Sequence, residues 1–246
     1  SRSERILIGC PPNEEHVFSS LIATLFLRQR GLNVTYLGAN VPISRLDDAI
    51  NSIQPDLIIL TAMQLHTAAN LYEMAQFINS QDVDLAFGGY IFTQLPELRK
   101  KIPGHYLGNQ LEEIVPTVEH LIVRPGKTVD FEPLSDRYQD ALVHFHDKRP
   151  FIHAYLWDKV KQDVMKYDHL SIANKYLSLD IDAALRLGDI NYIQTDLDWL
   201  KALLVNYDLP VELLPQYLAY YREALDTQLD ERGAMVIEWI ENLVEE

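Results

Sequence analysis

Short apolar runs alternating with amphipathic stretches are the feature that most limits the folds open to this chain. Arg5–Cys10, Asn33–Gly38, Asp56–Thr61 and Val83–Phe87 are short, rich in Ile, Leu and Val, and end at Gly, Pro or polar residues. They read as strands, with His105–Gly108 as a weaker fifth. Between them, Glu14–Arg30, Ser44–Ser52, Ala68–Ser80, Thr93–Lys101 and Gln110–Ile122 carry a helical period. In the first, Val17, Leu21, Ala23–Leu25 and Leu27 are expected to form one buried face, with basic residues at the C-terminal end. The strands are almost wholly apolar, as strands covered on both faces are. Repeated β–α units at about 25-residue spacing predict a doubly wound parallel sheet of five strands.

The alternation stops near residue 124. Residues 124–134 hold a Pro- and Gly-containing linker, and the remainder, 135–246, reads as helices only. Expected helices are Ser135–Lys148, Pro150–Tyr167, Leu170–Leu187, Asn191–Tyr207, Val211–Leu229 and Glu231–Glu246, with stops at Gly188-Asp189 and Asp208-Leu209-Pro210. Short connections make neighbours antiparallel and predict a bundle.

Charge and cysteine content narrow the function. The 246 residues carry 36 acidic and 21 basic side chains, a net charge of -15. Residues 1–123 hold 8 basic and 13 acidic residues and the rest 13 and 23, so the acidity sits mainly in the helical half. Such a field repels phosphate backbones, and no nucleic-acid contact is expected through this chain. The single cysteine, Cys10, excludes an intrachain disulfide and a thiolate metal cluster. No apolar run is long enough to span a bilayer, and no signal-peptide core opens the chain, so a soluble, cytoplasmic protein is expected. The chain starts at Ser1 and not Met, which leads us to expect segments upstream.

In a doubly wound fold, ligands bind at the carboxyl ends of the strands. After the first strand stands Pro11-Pro12-Asn13-Glu14-Glu15-His16-Val17-Phe18-Ser19, after the third Thr61-Ala62-Met63-Gln64, after the fourth Gly88-Gly89-Tyr90. Neither a GxGxxG after the first strand nor a GxxxxGK[ST] is present, which argues against dinucleotide and nucleoside-triphosphate sites. Glu14 beside His16 can hold one ring nitrogen as N–H and free the other as a ligand or base. The pair can equally cap a helix, and Gly88-Gly89 can be a tight turn or a place where a flat ligand nears the backbone.

Taken together, these segments resemble the cobalamin (vitamin B12)-binding Rossmann-like domain, with its D/E-x-H-x-x-G, S/T-x-L and G-G signatures. Here they read Glu14-Glu15-His16-Val17-Phe18-Ser19, Thr61-Ala62-Met63 and Gly88-Gly89. The intervening gaps are 41 and 24 residues, the second slightly short of the usual one. Tyr36–Pro42 is similar to the second-strand signature of light- and cobalamin-responsive MerR-type regulators, and Tyr106-Leu107-Gly108 is also familiar. The resemblance spans about residues 4–122. It implies a flavodoxin-like domain over 1–123, whereas the all-α helical bundle over 135–246 is read from the residues themselves. It implies His16 as lower axial cobalt ligand, replacing the cofactor's own base, with Glu14 on its other nitrogen. Thr61 and Met63 would line the groove for the displaced nucleotide tail, and Gly88 and Gly89 would let that tail pass. Ser19 stands where the motif has glycine and Met63 where it has leucine.

In sensor relatives a helical bundle sets a tryptophan and an acidic–His pair over the corrin's upper face. Trp157 and Asp168-His169 have a similar spacing, although here the bundle follows the Rossmann-like half. Trp157 is otherwise a core residue, as Trp199 and Trp239 are expected to be. His144 and His146 project from different helix faces and make a poor chelate. The resemblance thus implies a non-enzymatic sensory or regulatory module binding adenosylcobalamin or another corrinoid, with any DNA-binding domain upstream or on a partner; a homo-oligomer is a further expectation. A corrinoid carrier for a methyltransferase or mutase is the first alternative. A scaffold that binds another tetrapyrrole, or only protein, is the second, and Ser19 is its best support.

Overall fold

Ile, Leu and Val dominate the strand cores because those strands are buried on both sides. The structure, a computed structural model, describes residues 4–123, 133–160, 167–193, 205 and 213–245. The side chains of residues 160, 167–170, 213, 244 and 245 also lie outside the description. Strands β1 (Arg5–Gly9), β2 (Asn33–Gly38), β3 (Leu57–Thr61), β4 (Asp84–Gly88) and β5 (His105–Tyr106) form one parallel sheet in the order β2-β1-β3-β4-β5. Ile6 pairs with Val34 on one side and Leu57 on the other, and Leu57 pairs with Asp84. Crossovers α1 (Phe18–Gln29), α2 (Ile43–Ile53), α3 (Leu65–Ser80), the short α4 (Ile91–Gln94) and α5 (Leu111–Val123) complete the doubly wound layers expected from the sequence. One side of the sheet packs Ile6, Ile8, Leu57 and Ile59 against Ala23 and Leu27 of α1 and Val118 and Leu121 of α5.

Three expectations are corrected in this half. The first helix begins at Phe18 and not Glu14. The Pro11–His16 segment is a loop, held open by the left-handed Asn13 at φ 64°. The buried face of α1 is Ser20, Ala23, Thr24 and Leu27, whereas Leu21 and Leu25 point outward. The segment expected as helix over Thr93–Lys101 is divided, because Pro96 starts a separate 3₁₀ turn, Pro96–Lys100.

The chain splits into two compact units, residues 1–132 and 133–246. The second contains α6 (Asp136–Val160), α7 (Tyr167–Leu187), α8 (Leu213–Gln228) and α9 (Ala234–Glu245), with 3₁₀ turns at Ile190–Ile193 and Glu231–Gly233. Ala141, Phe145, Ile152 and Leu156 make the buried stripe of α6 and pack with Leu177, Ile181, Tyr221 and Leu225 in the core. Pro150 does not separate two helices, contrary to expectation. It lies inside α6, where it removes one backbone donor. Most of the helix expected over Asn191–Tyr207, with Trp199, lies outside the described residues. Trp239 is buried, as expected of a core residue. Among the described residues no helix is long and apolar enough to cross a membrane.

The histidines of α6 are tied to separate partners. His144 is buried, and its Nε2 accepts the Asp230 backbone N–H at 3.0 Å. His146 pairs with Asp182, and His153 Nε2 lies 2.8 Å from Ser178 Oγ. Burial lowers the pKa of His144 from its ordinary 6.5 despite the nearby Asp230 carboxylate. Burial, and then the Arg149 charge, lowers that of His153. A lowered folded pKa means that the unfolded chain binds protons first. Their contribution is therefore complete above pH 6.5 and is lost as pH falls through the folded values. Urea unfolding of the helical unit is expected at lower denaturant at pH 5.5 than at pH 7.5, and the His144→Gln/His153→Gln double variant narrows that difference. An unchanged pH dependence in the double variant would refute the assignment.

Candidate functional site

Strand order reverses between β1 and β3, since β1 is followed outward by β2 on one side and by β3 on the other. The crevice above such a switch point is where this sheet type takes ligands. The loops leaving β1 and β3 meet there. Val41 N–H donates to Cys10 O (2.9 Å), and Asn40 N–H to Glu14 O (3.1 Å). In return, the Asn40 side chain accepts from Asn13 N–H at 2.9 Å. Asn70 of α3 donates to Pro12 O at 2.7 Å. The loop is thus fixed by groups from β2 and α3.

At its centre the Glu14 carboxylate is fully buried and is met by four donor groups. Oε1 lies 2.7 Å from His16 Nδ1 and accepts the His16 backbone N–H at 2.9 Å. Oε2 accepts Met63 N–H at 2.7 Å and the Thr67 hydroxyl at 2.6 Å. A carboxylate acceptor places the ring proton on Nδ1 and leaves Nε2 with its lone pair. The His16 side chain is 58% exposed, and Nε2 has no hydrogen-bond partner among the described residues. Of the two readings open for this pair, the helix cap does not apply, because α1 starts after His16.

The other sequence-selected residues lie along the same sheet edge. Thr61 is buried at the end of β3, with Oγ1 3.4 Å from Cys10 Sγ. Met63 is half-buried, and its sulfur accepts the Tyr90 N–H at 3.5 Å. The two glycines differ. Gly89 has φ +122°, and a Cβ there would lie 1.9 Å from Ala62 O, so the fold itself requires it. A Cβ at Gly88 would lie 3.9 Å from Leu107 Cβ, an ordinary van der Waals contact, so the fold does not by itself require this glycine. Ser19 is half-buried in the first turn of α1, next to Phe18, which is 73% exposed. Sequence reasoning missed Thr67 and Asn70. Thr67 was findable as the third residue after Gln64 at a helix start, the capping-box position. No local signal marks Asn70.

In the helical unit, Trp157 lines a cavity between α6 and α7 and is engaged by neighbours there. The side chain of His169 lies outside the described residues. Among the described residues no group of three or more His, Cys, Asp or Glu could hold a metal ion, so His16 stands as a single donor.

Residues 4–113 match the family model described as the B12 binding domain. The resemblance read from the sequence, and with it the corrinoid cofactor class, is borne out over those residues. Curated relatives are the HTH-type transcriptional repressors CarA (33% identical over 57 residues) and CarH (37% over 62 residues) of Myxococcus xanthus. These alignments cover 23% and 25% of this chain, and 20% and 21% of the respective repressors, so the chain spans about a fifth of either relative. Similar solved structures include a cobalamin-binding protein from Desulfitobacterium hafniense DCB-2 (14% identical, TM-score 0.44, covering 48% of this chain and 58% of that one). Another is the methanol:cobalamin methyltransferase complex MtaBC from Methanosarcina barkeri (20% identical, TM-score 0.42, covering 50% and 48%).

Proposed function

With residues 4–113 matched to the B12 binding domain, we propose that this chain is a non-enzymatic, corrinoid-binding regulatory module that holds cobalt through His16. The observation that carries the reading is the buried Glu14 carboxylate, which fixes His16 Nδ1 and leaves Nε2 open at the switch point. Such a carboxylate fixes ring orientation and raises ligand basicity. The residues suit the group in a second respect. A Cβ at Gly88 would meet no atom closer than Leu107 Cβ at 3.9 Å, so the β4 end has no clash where a slender tail would pass, and the Met63 sulfur accepts the Tyr90 N–H beside it. A corrinoid held there would supply chemistry that responds to light, redox state or ligand exchange. The protein's own residues bind it, orient the imidazole and keep a proton on Nδ1.

Regulation, rather than carriage of a reacting group, is favoured by the similarity to two transcriptional repressors. With 36 acidic against 21 basic residues, this chain would leave DNA contact to another segment or partner. A cytoplasmic setting follows from the same role.

The test is retention of hydroxo-, methyl- and adenosylcobalamin through gel filtration, with absorbance recorded before and after illumination. Wild type is expected to retain corrinoid with a shifted spectrum. His16→Ala is expected to lose the shift and to bind at least 10–100-fold more weakly, the range seen when a metal ligand's support is removed. Retention of no corrinoid by the wild type would end the reading. A light-dependent elution change supports a sensor, whereas a light-insensitive methylated corrinoid that reacts with thiols points to a carrier.

A further inference from the structure

A cavity lies between α6 and α7, within the helical unit. It encloses about 450 Å³, within the range of small-molecule pockets. Its walls include Arg149, His153 and Trp157 from α6, and Asn174, Lys175 and Ser178 from α7. Residues 124–246 carry 23 acidic and 13 basic side chains, yet no acidic residue is among the described residues lining this space. Arg149 is half-buried and, among the described residues, has no carboxylate partner. Lys175 lies over the face of Tyr176, at 5.5 Å, and has no carboxylate partner among the described residues. A half-buried guanidinium without a counter-charge is costly, and an anion held between Arg149 and the exposed Lys175 would offset that cost.

The neutral donors are already oriented. His153 Nε2, Ser178 Oγ and Tyr221 Oη form a chain with spacings of 2.8 and 3.1 Å. Tyr217 donates to Asn174 Oδ1 at 2.8 Å, which turns the Asn174 amide N–H groups to other acceptors. Tyr217 and Tyr221 are buried, so this wall is rigid. Trp157 adds a flat apolar surface beside the cations. We propose that this cavity binds a small organic anion, a carboxylate or phosphate attached to a planar ring, between Arg149 and Lys175 with the ring against Trp157.

The experiment is calorimetric titration of the full, corrinoid-free chain. The probes are indole-3-acetate and adenosine monophosphate, each beside its neutral analogue, indole-3-acetamide or adenosine. At least one anion is expected to bind about tenfold or more tightly than its neutral analogue, the factor one charge-assisted hydrogen bond supplies. Comparing the two anions separates carboxylate from phosphate as the source. Lys175→Gln and Arg149→Gln are each expected to weaken that anion by about tenfold. Lys175 is exposed, so its variant keeps the fold even if the Arg149 variant does not, and circular dichroism checks both. The proposal is overturned by absence of heat with both anions at millimolar concentration. Equal affinity for anion and neutral analogue, or binding indifferent to Lys175→Gln, overturns it too.

Discussion

Glu14→Ala is expected to unfold the corrinoid-site loop and to lower the stability of the N-terminal unit by roughly 3–5 kcal/mol, the usual cost of stripping a buried charge from its hydrogen-bonding partners. The carboxylate is fully buried and serves the Met63 and His16 backbone N–H groups, the Thr67 hydroxyl and the His16 ring. Truncation leaves the Met63 amide without its acceptor, while the Thr67 hydroxyl keeps only Gln64 O, at 3.0 Å, among the described residues. Each unsatisfied buried donor costs about 1–3 kcal/mol. Glu14→Gln separates stability from ligand control. It keeps the shape but sets an NH₂ against one pair of donors. The expected result is a smaller loss of stability and a 10–100-fold loss of corrinoid affinity, as for other supports of a metal-bound histidine. Urea unfolding and corrinoid titration measure the two effects. A Glu14→Ala chain as stable as wild type would show that the four contacts are not made.

Gly89→Ala is the second large effect. The new methyl would sit 1.9 Å from Ala62 O on a residue at φ +122°. Clash and backbone strain act together, and a loss of roughly 4 kcal/mol or more is expected, in the range reserved for special backbone positions. Gly88→Ala is the contrast. Its Cβ would lie 3.9 Å from Leu107 Cβ, an ordinary contact, so folding should change little, while corrinoid uptake should fall as the methyl enters the tail's path. Equal melting midpoints for the two variants would contradict this division of labour.

Much of the fold was legible because period and length agreed. All five strands fall within about two residues of the expected ends, since β1, β3 and β4 are nearly all apolar and have no helical alternative at that length. The start of α1 was not legible. Glu14, Glu15 and Val17 continue a helical pattern, but the carboxylate of Glu14 is used by groups 49 and 53 residues away, and the loop stays open to reach them. Leu21 and Leu25 were misassigned to the core for a related reason. The buried face of α1 takes Ser20 and Thr24, whose hydroxyls bond Val17 O and Ser20 O. Local polarity therefore hid the side that packs. Pro150 misled in the opposite sense. It costs a helix about 3 kcal/mol, yet Phe145, Ile152 and Leu156 bury one continuous stripe across it, and that packing prevails. At the site, Glu14 and His16 were visible as a short motif. Thr67 and Asn70 act only through the tertiary fold.

The bonds that join Asn13, Glu14, Asn40, Met63, Thr67 and Asn70 have a consequence for motion. The β1, β2 and β3 loops share hydrogen bonds, so none can open without breaking those of the others. Local fluctuations of this kind occur as cooperative units with a single opening free energy. The backbone amides of Asn13, His16, Asn40 and Met63 should then exchange with solvent deuterium at one common protected rate, although they lie in three separate loops. A ligand held at His16 would slow all four together, and the amide of Met63 would report the ligand's arrival without touching the imidazole.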